Sequence, residues 1–370
     1  MRVISIGSDR SLGVPSSASA RRQIAYGMRL GDLRIIVFSL IDQHFPSYAL
    51  SIETHVYPTS SKRRLAYGWS AFWIAMKLPA PDVVTVQDPF ETGLVGWMIA
   101  RLRRAKFHVQ VHTDFCSPAF RTHSFVNRIR VRIARFIIRR ADRIRVVSER
   151  IKDSIEVAYH PKVPISVLPI YVDIEHFKKA RSGAIAGRFS KFSKRLLVVA
   201  RLEKEKDVAL AIDALAKTPQ DVCLIIVGEG SQKKKLEKKA GTLGLAGRVF
   251  FEGATDPWPY YALADLILVP SKFEGYGLVI VEALAAEKPV LATDVGVARE
   301  AGAIITSSEN FADALVGWIE NGQQIGVLLG YPYQSFDEYA DSYAADLIAA
   351  AGKNLEKEKE PQLPATPSTL

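Results

Sequence analysis

Short apolar runs of strand length alternate with amphipathic stretches along nearly the whole chain, which predicts parallel sheets covered by helices. In the first half the runs predict strands at 2–7, 34–39, 83–87, 107–112 and 143–148. In the second half they predict strands at 195–200, 222–227, 249–252, 265–270, 290–292 and 303–305. Between the halves, residues 178–194 are rich in Lys, Arg, Gly and Ser and lack strong periodicity, which marks a linker with its boundary near 185. A chain of 370 residues is too long for one compact core. The expected fold is therefore α/β, two Rossmann-like doubly wound parallel-sheet domains over 1–185 and 186–334. Residues 352–370, which alternate Lys and Glu and then turn to Pro, Thr and Ser, are expected to be a disordered tail.

Chemistry concentrates at the ends of two predicted strands. The run ending at Ser271 leads into Phe273-Glu274-Gly275-Tyr276-Gly277-Leu278 and then an apolar helix carrying Glu282. Glycines let a backbone pass close to a ligand, and the helix start offers free N–H groups and a positive dipole end suited to phosphate. Glu274 and Glu282 can bond sugar hydroxyls on either side of that phosphate. Upstream, the strand at 195–200 delivers Arg201 and Lys206 to the same carboxyl edge, where open α/β sheets bind ligands. An arginine fork beside a compact lysine charge suits a diphosphate. These residues predict a pocket for a nucleotide-activated sugar; taken singly, each also fits ordinary surface charge.

Arg201…Lys206 followed by Glu274 and Glu282 resembles the donor site of retaining GT-B glycosyltransferases of family 4, the glycosyl transferases group 1. Further matching runs are Val147–Lys152, Val227–Gly230 and Val167–Phe177, so the resemblance spans about residues 1–350. In the last of these, Ile170-Tyr171 stands where the family has Asn-Gly. The resemblance implies that Arg201 and Lys206 neutralise the diphosphate of a UDP- or GDP-linked donor. It implies Glu282 on the ribose, Glu274 on the transferred sugar, and backbone amides near Gly275, Gly277 and Leu278 on the distal phosphate. His112, at the end of the strand Val109-Gln110-Val111, would lie near the reacting carbon; its plainer reading is a hydrogen-bonded histidine at a strand end. It also implies that a final helix, 335–351, crosses back onto the N-terminal domain, with Gly352 as its stop. The first loop, Ser8–Ser17, lacks the family's Gly-Gly pair, and Arg21 and Arg22 beyond it are expected to be solvated surface charge, with a phosphate contact as the alternative.

Charge adds a partner. Residues 101–145 hold thirteen Arg or Lys against two acids, a local +11 that exceeds the +10 of the whole chain. Within them Phe125, Ile129, Ile133 and Phe136 recur at helical spacing with Arg128, Arg135 and Arg139 elsewhere on the circumference. Such a helix suits an anionic bilayer surface, so residues 121–145 are expected to make peripheral membrane contact. A core-packed helix with a solvated basic face is the alternative. No nucleic-acid module accompanies the charge, and a nucleic-acid partner is not expected. No apolar run approaches a membrane span, and no cleavable signal is expected at the start, where residues 2–7 read as a strand. Cys116 and Cys223 fall in different halves, so no disulfide framework is expected, and a cytoplasmic protein at the inner face of the membrane is the natural reading.

By resemblance, the protein is expected to be a metal-independent hexosyltransferase that needs no cofactor. It would move a sugar from a nucleotide diphosphate to a glycan or lipid-linked acceptor in cell-envelope glycolipid or polysaccharide synthesis. A non-catalytic basic membrane-binding scaffold and a sugar-nucleotide epimerase-like relative are the competing readings.

Overall fold

The computed structural model describes residues 1–321 and 325–353; the expected tail from 354 onward lies outside the described residues. The first sheet comprises β1 (Arg2–Gly7), β2 (Asp32–Val37), β3 (Tyr48–Ala49), β4 (Thr54–Pro58), β5 (Val83–Val86), β6 (Lys106–Val111), β7 (Arg143–Val146) and β8 (Ile165–Val167). The second comprises β9 (Lys194–Val199), β10 (Val222–Val227), β11 (Val249–Gly253), β12 (Leu266–Val269), β13 (Val290–Thr293) and β14 (Ile304–Thr306). The orders are β3-β4-β2-β1-β5-β6-β7-β8 and β11-β10-β9-β12-β13-β14. Every ladder is parallel except the short β3 edge. Helices cover both faces, which is why central strands such as β10 are buried at every position and read as unbroken apolar runs.

All eleven expected strands are present within a residue or two at their ends. Three strands lie outside that set, and each has a physical reason. β4 alternates buried and half-buried positions and ends in Pro58, so no apolar run announces it. β3 and β8 are two- and three-residue edge strands, too short for any period to register.

Both sheets reverse their strand order once, at β1/β5 and at β9/β12. Such switch points open a crevice at the strands' carboxyl ends, because the connections leave in opposite directions there. Between the sheets, residues 178–194 fold locally instead of staying free. A 3-10 turn spans Gly183–Phe189, and the buried rings of Phe189 and Phe192 meet Phe250 edge-on at 5.1 and 5.7 Å. The Ile170-Tyr171 departure sits in the crossover: Tyr331 accepts the Val172 N–H at 2.5 Å and donates toward the Ile170 carbonyl.

The helix Phe336–Ala350 packs against the helix Ala18–Leu30 and β6 of the first sheet. Ser335 caps its start by accepting the Glu338 N–H at 3.2 Å. It buries Tyr339, Tyr343 and Leu347, and sends Asp346 to the buried His108 Nε2 at 2.9 Å, Arg143 Nε at 2.5 Å and Ser166 Oγ at 2.6 Å. The neighbouring Arg145 guanidinium is fully buried, bonded to Gln110 Oε1 and to the Tyr339 hydroxyl, with the Tyr343 ring 5.0 Å away.

Candidate active site

A cavity of about 790 Å³ opens at the β9/β12 switch point, on the edge of the second sheet that faces the first. Arg201 and Lys206 enter it from the loop after β9, and Ser271 and Glu274 from the loop after β12. Gly277 and Leu278 close one wall. Gly277 has φ +93°, the left-handed turn from which the helix Leu278–Ala285 starts, so the first amides of that helix point into the cavity's neighbourhood. Lys206 Nζ lies 2.7 Å from both oxygens of Glu274, and Ser271 Oγ donates to the same carboxylate at 2.7 Å. Among the described residues Arg201 reaches only Glu205, at 3.2 Å, and most of its side chain is exposed.

Two expected residues stand apart from this cluster. Glu282 is tied to the Tyr261 hydroxyl at 2.6 Å, and burial pushes its carboxyl up despite that bond. It lies one helical turn beyond Leu278 of the cavity wall, and its partner Tyr261 meets the Phe177 ring edge-on at 5.5 Å. Gly275 does not line the cavity; a Cβ there would overlap the His112 carbonyl oxygen. The glycine is thus required where the two domains touch, in addition to any ligand approach.

That contact brings His112, at the end of β6, to the mouth of the site. Its imidazole is partly buried, with Nε2 3.3 Å from Gln110 Oε1. Burial first, then the charges of Arg145 and Arg22, hold its pKa at about 3, so the ring is neutral throughout the physiological range. The expectation of a solvated Arg22 is corrected here: it is half-buried, bonded to Ser19 Oγ at 2.9 Å, and close enough to act on His112. Pattern reading missed it because helix-start arginines usually face water. The Ser8–Ser17 loop folds as a 3-10 turn at Arg10–Gly13 capped by Asp9, with Leu12 buried beneath it. The two cysteines are unpaired, and burial pushes both thiols up to about 12.

Further contacts across the cleft favour a closed arrangement. Glu300 accepts the amides of Glu149 and Arg150 at the start of the helix Glu149–Tyr159, and Arg150 pairs with Asp294. Phe273 sits edge-on to Phe120 and His123 at 5.9 and 5.4 Å. Because a Cβ at Gly275 has no room, Gly275→Ala is expected to hold the domains apart and raise the radius of gyration in small-angle scattering. An unchanged radius would show that this contact does not set the closure.

Two parallel-sheet domains with a ligand-sized cleft between their carboxyl edges define the GT-B architecture, and relatives of that architecture match the chain along its length. Residues 186–321 match the family described as glycosyl transferases group 1, and residues 18–170 match the glycosyl transferase 4-like domain. Each half of the chain thus resembles a glycosyltransferase domain, on a fold of the GT-B class. The chain is 28% identical over 250 residues to the alpha-monoglucosyldiacylglycerol synthase of Streptococcus pneumoniae, covering 62% of this chain and 56% of that protein. It is 31% identical over 189 residues to the GDP-mannose-dependent alpha-(1-6)-phosphatidylinositol monomannoside mannosyltransferase of Mycobacterium tuberculosis, covering 45% and 49%. The chain thus spans about half the length of these curated relatives. Among solved structures, Anabaena HepE in complex with UDP superposes with a TM-score of 0.67 at 21% identity, over 95% of this chain and 98% of that one. Sucrose-phosphate synthase from Thermosynechococcus elongatus gives 0.70 at 17% identity, over 95% and 94%.

Proposed function

We propose that the protein is a retaining hexosyltransferase of family 4 that takes a sugar from a UDP- or GDP-linked donor in the β9/β12 cavity. The observation that carries the reading is the convergence of Arg201, Lys206, Glu274, Gly277 and Leu278 on one cavity facing the other domain. Breaking the bond from the anomeric carbon to the diphosphate leaves positive charge on the sugar and negative charge on the leaving oxygen. Lys206, Arg201 and the first amides of Leu278–Ala285 are preorganised for that negative charge. Binding would draw Arg201 from Glu205 and let Lys206 bridge the phosphate and Glu274. Glu274, held by Lys206 and Ser271, would then accept bonds from the sugar hydroxyls. Glu282 would take the ribose, exchanging its Tyr261 partner for hydroxyls.

The neutral His112 would reach the sugar side of the cleft as a hydrogen-bonding group and not as a cation. The acceptor oxygen attacks the anomeric carbon, and its proton passes to the departing phosphate oxygen, which keeps the step balanced without a protein base. Closure over the cleft would exclude water and limit hydrolysis. An acceptor at a membrane surface accords with the relatives' printed names, which include a diacylglycerol and a phosphatidylinositol derivative. We place the peripheral contact at residues 121–145. In the helix Phe125–Ile138 the buried positions are Asn127, Ala134, Ile137 and Ile138, so Phe125, Val126 and Ile129 stand exposed beside the arginines. Ile133 and Phe136 of the same stripe pack against the core, so the apolar face open to a bilayer is the first part of this helix. No helix among the described residues is long and apolar enough to cross a membrane.

The first experiment is calorimetric titration of UDP and GDP, then of their sugar conjugates, into wild type and Glu282→Ala. One base is expected to bind with a Kd on the order of micromolar, near −8 kcal/mol, and the substitution to abolish it. A folded protein that binds neither nucleotide would overturn the reading.

A further inference from the structure

The second switch point, β1/β5 in the first sheet, also carries a cavity, of about 530 Å³. Ser8, Phe38 and Asp88 line it from just past the ends of β1, β2 and β5, on the same sheet edge as His112. Three arginines line it: Arg10, Arg64 and Arg130. Arg130 is matched by Glu91 at 2.9 Å, but Arg10 and Arg64 have no carboxylate partner among the described residues. Among the described residues Arg10 makes only long contacts, to the Phe38 carbonyl at 3.5 Å and the Tyr67 hydroxyl at 3.4 Å. Against the one remaining carboxylate, Asp88, the two unmatched arginines leave the lining with a net positive charge, which suits an anion.

Gly68 lines this cavity and also a second one, an apolar groove of about 470 Å³ between the helices Tyr67–Lys77 and Glu91–Arg103. Trp69, Phe72, Trp97, Met98 and Leu102 form the groove, with Arg101 at its rim. Trp69 is 67% exposed and Leu102 63%, unusual for such side chains grouped on one face. Leu65, fully exposed at 98%, stands at the lip of the arginine cavity beside them. Tryptophans with basic residues at the rim are the composition that settles at a lipid–water boundary.

Resting on the transferase reading above, we propose that the acceptor is an anionic lipid: its charged head group occupies the Arg10–Arg64–Arg130 cavity and its hydrocarbon chain lies in the tryptophan groove. The juxtaposition argues for one amphiphile over two separate ligands, since the charged and apolar cavities meet at Gly68. The arginine cavity sits on the sheet edge that faces the donor cleft. A hydroxyl of the head group is thereby presented toward His112 and the donor sugar, while Asp88 can accept a bond from a second one.

The test uses the full chain, with dioctanoyl phosphatidic acid bearing bromine on its acyl chains as the probe and quenching of tryptophan fluorescence as the readout. Saturable quenching is expected, weakened about tenfold or more by Leu102→Glu, which puts charge into the groove, and likewise by Arg64→Glu, which reverses charge at the head group. Both positions are exposed, and both variants are expected to keep the wild-type nucleotide Kd. Absent quenching, or quenching that neither substitution weakens, overturns the proposal. Equal quenching by brominated dioctanoylglycerol, untouched by Arg64→Glu, also overturns it, by reducing the groove to a general membrane wedge. Nucleotide binding on the same preparation separates the failures: nucleotide bound without lipid defeats this inference alone, whereas neither bound defeats the donor reading.

Discussion

Lys206→Ala is expected to lower kcat by about 10²–10³-fold, the loss found when one preorganised donor to a developing oxyanion is removed. The side chain is well placed for this role. Only 17% of it is exposed, and Nζ is fixed by two 2.7 Å contacts to Glu274, so little reorganisation is needed when charge appears on the diphosphate. Removing it also leaves the Glu274 carboxylate, itself 12% exposed, with Ser271 as its remaining partner. The variant therefore loses a cation at the phosphate and gains an uncompensated anion beside the sugar. Lys206→Arg should recover part of the rate, since it restores the charge but not the compact geometry. The check is initial rates with the donor identified by calorimetry, alongside a thermal melt to show that the fold survives. A fold-intact alanine variant with wild-type kcat would remove Lys206 from the chemistry.

Asp346→Ala is expected to destabilise the protein by about 3–5 kcal/mol, the usual cost of breaking a buried charge pair from one side. Burial alone would push this carboxyl up. His108, Ser166 and Arg143 overcome that and hold it well below the usual carboxylate range. A lowered native pKa means the unfolded chain binds more protons in acid. The contribution is thus complete above the ordinary carboxylate range and is lost as pH falls through the native value. Urea denaturation at neutral pH should show the full difference between wild type and variant, and the difference should shrink in strong acid. Hydrogen exchange along Phe336–Ala350 should lose protection first, because Asp346 is the polar anchor of that helix on β6, β7 and β8. Equal stabilities at neutral pH would show that the aromatic packing of Tyr339 and Tyr343 suffices.

The charged residues of the β9/β12 cavity were legible because their signals are local. Arg201 and Lys206 follow β9 directly, Glu274 and Gly277 follow β12, and strand ends in parallel sheets share one edge. The apolar helix after Gly277 announced itself by composition alone, as did the fully buried β10. The same local logic failed where burial alternates, as in β4, and where a strand is too short to show a period, as in β8. It also failed at Arg22, which lies close to His112, just past the end of β6 and far along the chain.

For this protein, the sequence by itself determined two α/β halves, the strand ends that carry charge, and the excess of arginine in residues 101–145, because strand and helix periods and composition are properties of neighbouring residues. Only the tertiary structure decided that Gly275 meets the His112 carbonyl, that Asp346 closes on His108, and that the groove holding Trp69 and Trp97 adjoins the arginine cavity at Gly68. Those pairings join segments far apart in the chain. They depend on which faces the helices bury and how the two sheets meet, and no local pattern encodes either.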